Sequence, residues 1–184
     1  MRLPTLVREA QKSAVRLQFE KSCLDEVGEF LALLAAHPSS FPVLEVGTGA
    51  GVGTAWLASH AAGPIYTVET EARLADAARD LFAASPEVRV IHGDWMAALN
   101  HGPFGLIFVD AKPAKQDGAD QLVAALQPGG WIVLDDLTPR EYWPEAWRGQ
   151  PDRVRDQWLG HPGLISVEVR TSERVAVILA RRKG

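Results

Sequence analysis

The stretch VLEVGTGAGVGTAWLAS, Val43 to Ser59, sets four glycines, Gly47, Gly49, Gly51 and Gly53, at every second position behind an apolar run that carries one carboxylate, Glu45. An apolar run, a glycine turn and a helical pattern make a strand–loop–helix opening, in which glycine lets the backbone turn tightly and approach a ligand with N–H groups aimed at it. The spacing departs from the dinucleotide fingerprint, because Gly-x-Gly-x-x-Gly counted from Gly47 requires glycine where Val52 stands. A pyrophosphate is therefore disfavoured. Glu45, two residues ahead of the first glycine, is suited to neutralise an amine, so a cationic ligand end is expected at this loop.

Two helical patterns precede the stretch, about Thr5 to Glu20 and about Leu24 to Ala36, the second with Val27, Phe30, Leu31 and Leu34 on one face. After the breakers HPSSFP the text alternates short apolar runs with helical segments: VLEV then Gly53 to His60, IYTVE then Ala72 to Ala84, VRVIHGD then Met96 to Leu99, GLIFVD then a helix around Gly118 to Leu126, and GGWIVLDD. Continuous apolar strands separated by crossovers predict a parallel, doubly wound sheet buried on both faces. The ending LISVEVRTSERVAVILARR differs, since RTSE is too short for a crossover helix and forces the last two strands to pair antiparallel. The expected fold class is α/β, a Rossmann-like, mostly parallel seven-stranded sheet with a C-terminal antiparallel hairpin. One domain over residues 1–184 is expected, with N-terminal helices in 1–40 and the Rossmann-like core in 41–184.

The 184 residues, 47% apolar and 23% charged, suit one globular domain. No run is long and apolar enough for a membrane span, and the charges scattered through the opening do not suit a signal peptide, so a cytoplasmic protein is expected. The net charge of −4 leaves no electrostatic footprint for nucleic acid, which favours a small-molecule partner. The single cysteine, Cys23, is read as a small buried side chain.

From Leu44 to Gly51, LEVGTGAG resembles the first motif of the class I methyltransferases that use S-adenosylmethionine, an acidic residue followed by Gly-x-Gly-x-Gly. The longer VLEVGTGAGVGTAWLA is similar to the caffeoyl-CoA and catechol type of small-molecule O-methyltransferase. The resemblance runs from about Ser22, which it assigns to the cofactor, to the C-terminus. It implies that Glu45, Gly47, Thr48, Gly49 and Gly51 cradle the methionine part of the cofactor. Glu69 ends the second strand about 20 residues past Gly49, the separation at which a carboxylate reaches ribose hydroxyls. Asp94 ends the third strand; by resemblance it lies at the adenine edge, with Trp95 or Met96 over the ring, and it equally suits a helix N-cap.

In open α/β sheets the chemistry collects beyond the carboxyl ends of the strands, where Asp110, Asp135 and Asp136 are delivered. Three converging carboxylates call for a cation. The resemblance implies a divalent metal, Mg²⁺ or another, held by an Asp ending strand four, an Asp ending strand five and an adjacent Asn, which carries over to Asp110, Asp135 and Asp136. Two departures stand out: Asp136 replaces the Asn, and the family's Asp-Ala-Asp-Lys reads Asp110, Ala111, Lys112, Pro113. Lys112 has three readings: a stand-in for the metal, a group that orients and deprotonates the substrate, or a solvated charge. Lys115 ranks below it for the same roles, and the expected catalytic pair is Asp110 with Lys112. Methyl transfer needs no nucleophilic triad, since the sulfonium methyl is already activated.

Tyr142, Trp143, Trp147 and Trp158 follow strand five and suit either the floor of a pocket for a planar acceptor or packing onto the sheet, the latter favoured for Trp158. The expected function is S-adenosylmethionine-dependent methyl transfer to an oxygen of a small, aromatic-type molecule. The alternatives are a metal-independent methyltransferase acting on nitrogen or another acceptor, a non-catalytic nucleotide-binding module, and an NAD-type oxidoreductase. The family resemblance also leaves room for a homodimer.

Overall fold

The computed structural model describes residues 2–37 and 41–184, so the PSS of the breaker segment, where the boundary between the helical part and the core is expected, lies outside the described residues. Among the described residues seven strands form one sheet in the order β3-β2-β1-β4-β5-β7-β6. They are β1 (Val43–Val46), β2 (Ile65–Glu69), β3 (Val88–His92), β4 (Phe104–Val109), β5 (Leu126–Leu137), β6 (Leu164–Arg170) and β7 (Ala176–Arg182). β1 through β5 pair in parallel, whereas β7 runs antiparallel to both β5 and β6. The expected mixed sheet is present, and its hairpin is placed with β7 inside and β6 at the edge.

The helices are α1 (Thr5–Arg16), α2 (Asp25–Ala35), α3 (Val52–Ala58), α4 (Ala72–Leu81), α5 (Lys112–Asp117), α6 (Ala119–Ala125) and α7 (Arg153–Leu159). Both faces of the sheet are apolar with period two, as parallel strands require. Leu44, Val46, Ile107 and Val109 pack with Leu122, Val123 and Trp158 on one face. Val43, Leu106 and Phe108 pack with Val27 and Leu31 of α2 and Leu57 of α3 on the other. Val7, Ala10 and Ala14 of α1 join Ala55 and Trp56 of α3 and Ala78 of α4. The N-terminal helices thus share the apolar cores of the sheet.

Two expectations of local structure are revised and one element is added. The first helix stops at Arg16 rather than continuing to Glu20, because Gln18 takes a left-handed φ of 53° that turns the chain toward the glycine loop. The helix expected around Gly118 to Leu126 is present as α6, and a further short helix that was not expected, α5, precedes it directly after β4. The short helix at Met96 to Leu99 is a 3-10 helix, Trp95–His101. No helix among the described residues is long and apolar enough to cross a membrane.

Candidate active site

Strand order reverses between β1 and β4, which places a crevice beyond their carboxyl ends. Gly47 follows β1 and Asp110 follows β4; Asp110 N–H donates to Val46 O at 2.8 Å, closing the two ends together. A Cβ on Gly47 would come within 3.1 Å of the Asp110 carbonyl carbon, and its φ of +100° belongs to the left-handed region that favours glycine. Gly49 is constrained similarly: φ is +53°, and a Cβ would stand 2.8 Å from the Phe19 ring. Phe19, Lys21, Ser22 and Cys23 come from the segment between α1 and α2 and line the same cavity of about 350 Å³ as the glycine loop.

The expectation of free N–H groups aimed at a ligand is corrected at four positions. Gly47 and Thr48 N–H donate to Val68 O, Gly51 N–H to Thr48 O, and Gly49 N–H to Glu69 Oε2 at 2.9 Å. The reason is geometric: β2 extends beside the loop and supplies acceptors for three of these groups, and the loop's own Thr48 carbonyl takes the fourth. What the cavity presents is negative charge, from Glu45, Glu69, Glu71, Asp94, Asp110 and Asp136, against Lys21 as the basic residue of the lining.

Glu45 is buried, and its Oε2 accepts hydrogen bonds from the hydroxyls of Thr54 and, at 2.6 Å, Thr67. Thr67 stands beside it in register across β1 and β2, and Thr54 lies in the first turn of α3. Burial pushes the Glu45 carboxyl up to about 7, opposed by the two threonine hydroxyls and reinforced by the charge of Glu69. Neither threonine is singled out by sequence; a polar residue in an apolar strand is the only signal Thr67 gives. Glu69 accepts from Gly49 and Glu71 N–H, one on each oxygen, which leaves lone pairs for further donors. Asp94 caps the Trp95–His101 turn through Met96 N–H at 2.9 Å, the N-cap expected for it, while also lining the cavity. Trp95 lines the cavity too and rests against Gly118. Ser22 Oγ is buried with no hydrogen-bond partner among the described residues. Cys23 is partly buried, packing against the cores while also lining the cavity, and its thiol is pushed up by burial and the nearby carboxylates.

Asp110, Asp135 and Asp136 converge as expected, with one ligand oxygen from each lying within 4.8 Å of the others. Burial raises the Asp110 carboxyl to about 8, with Lys115 opposing and the two other aspartates reinforcing the shift. Asp135 is raised to about 6 by burial, opposed by the Asp136 N–H, which donates to its Oδ1 at 2.7 Å. Asp110 Oδ1 is buried and makes no hydrogen bond among the described residues. Asp136 takes a left-handed φ of 58°, which Asp tolerates better than most side chains.

The order of the two lysines is reversed. Lys112 is exposed at the first position of α5 and contributes to neither neighbouring cavity. Lys115 is 8% exposed, and its Nζ donates to Asp135 O at 3.1 Å while lying 3.5 Å from Asp110 Oδ1 and 3.7 Å from Asp136 Oδ2. Carboxylates are the donors Mg²⁺ takes. A divalent ion placed about 4 Å from that ammonium would meet repulsion on the order of 8 kcal/mol at an effective dielectric of about 20. The residues present do not fit a resident metal while Lys115 keeps this position.

A second groove, about 750 Å³, opens on the other side of Asp136 and is lined by Trp143, Trp147 and Arg155. The two tryptophan rings meet edge to face at 6.4 Å, and Trp143 Nε1 donates to Thr138 O. Trp158 is fully buried with its Nε1 donating to Lys115 O at 2.7 Å, the packing role expected for it.

A model of a methyltransferase domain matches residues 44–137, half of the chain. A catechol O-methyltransferase of Mycobacterium tuberculosis is 32% identical over 160 residues, 80% of this chain and 73% of that protein. A Mycobacterium avium relative, 34% identical over 118 residues, is matched over 59% of this chain and 53% of its own length. Two solved structures have the same fold: the Bacillus cereus O-methyltransferase in complex with SAH, with a TM-score of 0.82, 23% identity, and coverage of 100% of this chain and 93% of that one; and cofactor-bound Rv0187 from MTB, with a TM-score of 0.84, 24% identity, and coverage of 99% and 92%. The first motif, the switch-point crevice and these two sequence matches converge, and the chain belongs to the class I S-adenosylmethionine-dependent methyltransferases, among the O-methyltransferases of the catechol type.

Proposed function

We propose that this protein transfers the methyl group of S-adenosylmethionine to an oxygen of a small molecule, acting as one domain in the cytoplasm. The observation that carries the reading is the charge of the cavity: a glycine loop whose N–H groups are largely satisfied internally, ringed by carboxylates, suits a ligand with a sulfonium and an ammonium and repels a pyrophosphate. Glu45 faces the cofactor's ammonium. Ser22 and Lys21 are the donors available to its carboxylate, Glu69 accepts from the ribose hydroxyls, and Asp94 with Trp95 bounds the adenine.

The reaction asks for a nucleophilic oxygen in line with the S–CH3 bond at about 3 Å and stripped of water. The new C–O bond forms as the C–S bond breaks, its electron pair returning to sulfur to leave neutral S-adenosylhomocysteine. The Asp110 carboxylate, in the cavity lining, accepts the hydrogen of the acceptor hydroxyl and takes the proton as the ether forms. The groove of Trp143 and Trp147, which shares Asp136 with the cofactor cavity, receives a planar acceptor. Calorimetric titration with S-adenosylhomocysteine, with NAD as control, tests the cofactor, and labelled methyl transfer to a panel of phenols tests the acceptor. Binding of NAD alone would sink the reading.

A further inference from the structure

Lys115 touches all three acidic residues of the cluster. Its Nζ donates to the Asp135 carbonyl at 3.1 Å and lies 3.5 Å and 3.7 Å from carboxylate oxygens of Asp110 and Asp136. An ammonium has three N–H donors on one carbon and can serve three acceptors at once. The backbone at this residue is held from two sides: Lys115 N–H donates to Ala111 O at 3.1 Å, and Lys115 O accepts the indole N–H of the fully buried Trp158 at 2.7 Å. Those bonds and the start of α5 at Lys112 fix which way residue 115 faces, and its side chain is 10% exposed. An exposed lysine would sample many rotamers; this one has been built into the cluster.

We propose that Lys115 is the resident cation of the Asp110, Asp135 and Asp136 cluster, standing where a divalent metal would otherwise be bound, so that this protein is a metal-independent methyltransferase. The reaction rests on the function proposed above, whereas the occupancy of the cluster does not. Lys115 is not in the lining of either neighbouring cavity, so it is a positioning residue: it acts through Asp110, whose charge it balances, and through Asp136, whose turn at the end of β5 it holds. A carboxylate-bound metal retains open positions that can chelate two vicinal oxygens. A buried ammonium behind Asp110 offers none, and a single acceptor hydroxyl suffices.

The test is a Mn²⁺ titration of chelator-treated protein, free Mn²⁺ being read by electron paramagnetic resonance. Wild type and K115R, which both keep the cation, are expected to take up no Mn²⁺ at submillimolar concentration, while K115M takes up one ion per chain with at least tenfold higher affinity. One Mn²⁺ per wild-type chain that disappears in D135A overturns the proposal, as does a folded K115M that binds no better than wild type. If K115M loses its cooperative thermal transition, K115Q takes its place with the same expected gain. A lysine with only a packing role would leave Mn²⁺ uptake unmoved between K115R and K115M. Calorimetry with S-adenosylhomocysteine on the same samples separates the two ideas: its failure removes the methyltransferase reading and leaves the Mn²⁺ result standing.

Discussion

Glu45 shows what a buried carboxyl does to the stability of the empty fold. Its carboxyl titrates near 7 in the folded protein against an ordinary value of 4.5, because burial disfavours the charge more than Thr54 and Thr67 favour it. The folded state therefore binds more protons than the unfolded state between pH 4.5 and 7. The stability contributed by Glu45 must fall as pH rises through that window and level off above it, by about 3 kcal/mol, on top of the declines from the raised carboxyls of Asp110 and Asp135. Ligand-free thermal denaturation from pH 5 to 8 should show this decline in the wild type and a flatter profile in E45Q; parallel profiles would show that Glu45 does not titrate there. The place of Glu45 beside the glycine loop was legible from its position before Gly47, but its partners were not. Thr67 meets it only through the pairing of β1 with β2, and Thr54 only through the docking of α3.

At the scale of elements, the glycine loop and the helices around it are fitted to one another by close approach. Gly49→Val puts a β-branched side chain at φ +53° against the Phe19 ring, and is expected to weaken S-adenosylhomocysteine binding by at least tenfold in calorimetry. Gly28 lies in α2 where a Cβ would run into the indole of the buried Trp56. Gly28→Ala should therefore destabilise by about 1–3 kcal/mol in urea denaturation, even though alanine is the better helix former by about 1 kcal/mol. Beyond β5, Trp147 is 53% exposed on the groove beside Asp136. Trp147→Ala is expected to raise the KM for an aromatic acceptor several-fold while leaving S-adenosylhomocysteine affinity unchanged; equal loss of both would mean that the groove is not a separate acceptor site. The strand-and-crossover alternation was legible because strand and helix periods are local. Helix ends were less so, since the stop at Arg16 and the start of α5 depend on what each segment packs against.

For the whole molecule, ligand binding and folding are one equilibrium. A ligand at one hundred times its Kd stabilises the native state by about 2.7 kcal/mol. For a protein of this size that raises Tm by roughly 5–10 °C. S-adenosylhomocysteine should produce such a shift and NAD none, measured in one thermal-shift series. By itself the sequence determined the sheet class, the glycine turn and the carboxylates at the strand ends, because each follows from periodicity and from the rule that chemistry gathers beyond parallel strands. Only the tertiary structure decided that the loop's N–H groups are already taken by β2 and Glu69, and that the cation among the aspartates comes from Lys115 instead of Lys112. The physical reason is side-chain direction: which lysine of α5 points inward is set by Trp158, 43 residues away in the chain, and no local pattern carries a contact of that separation.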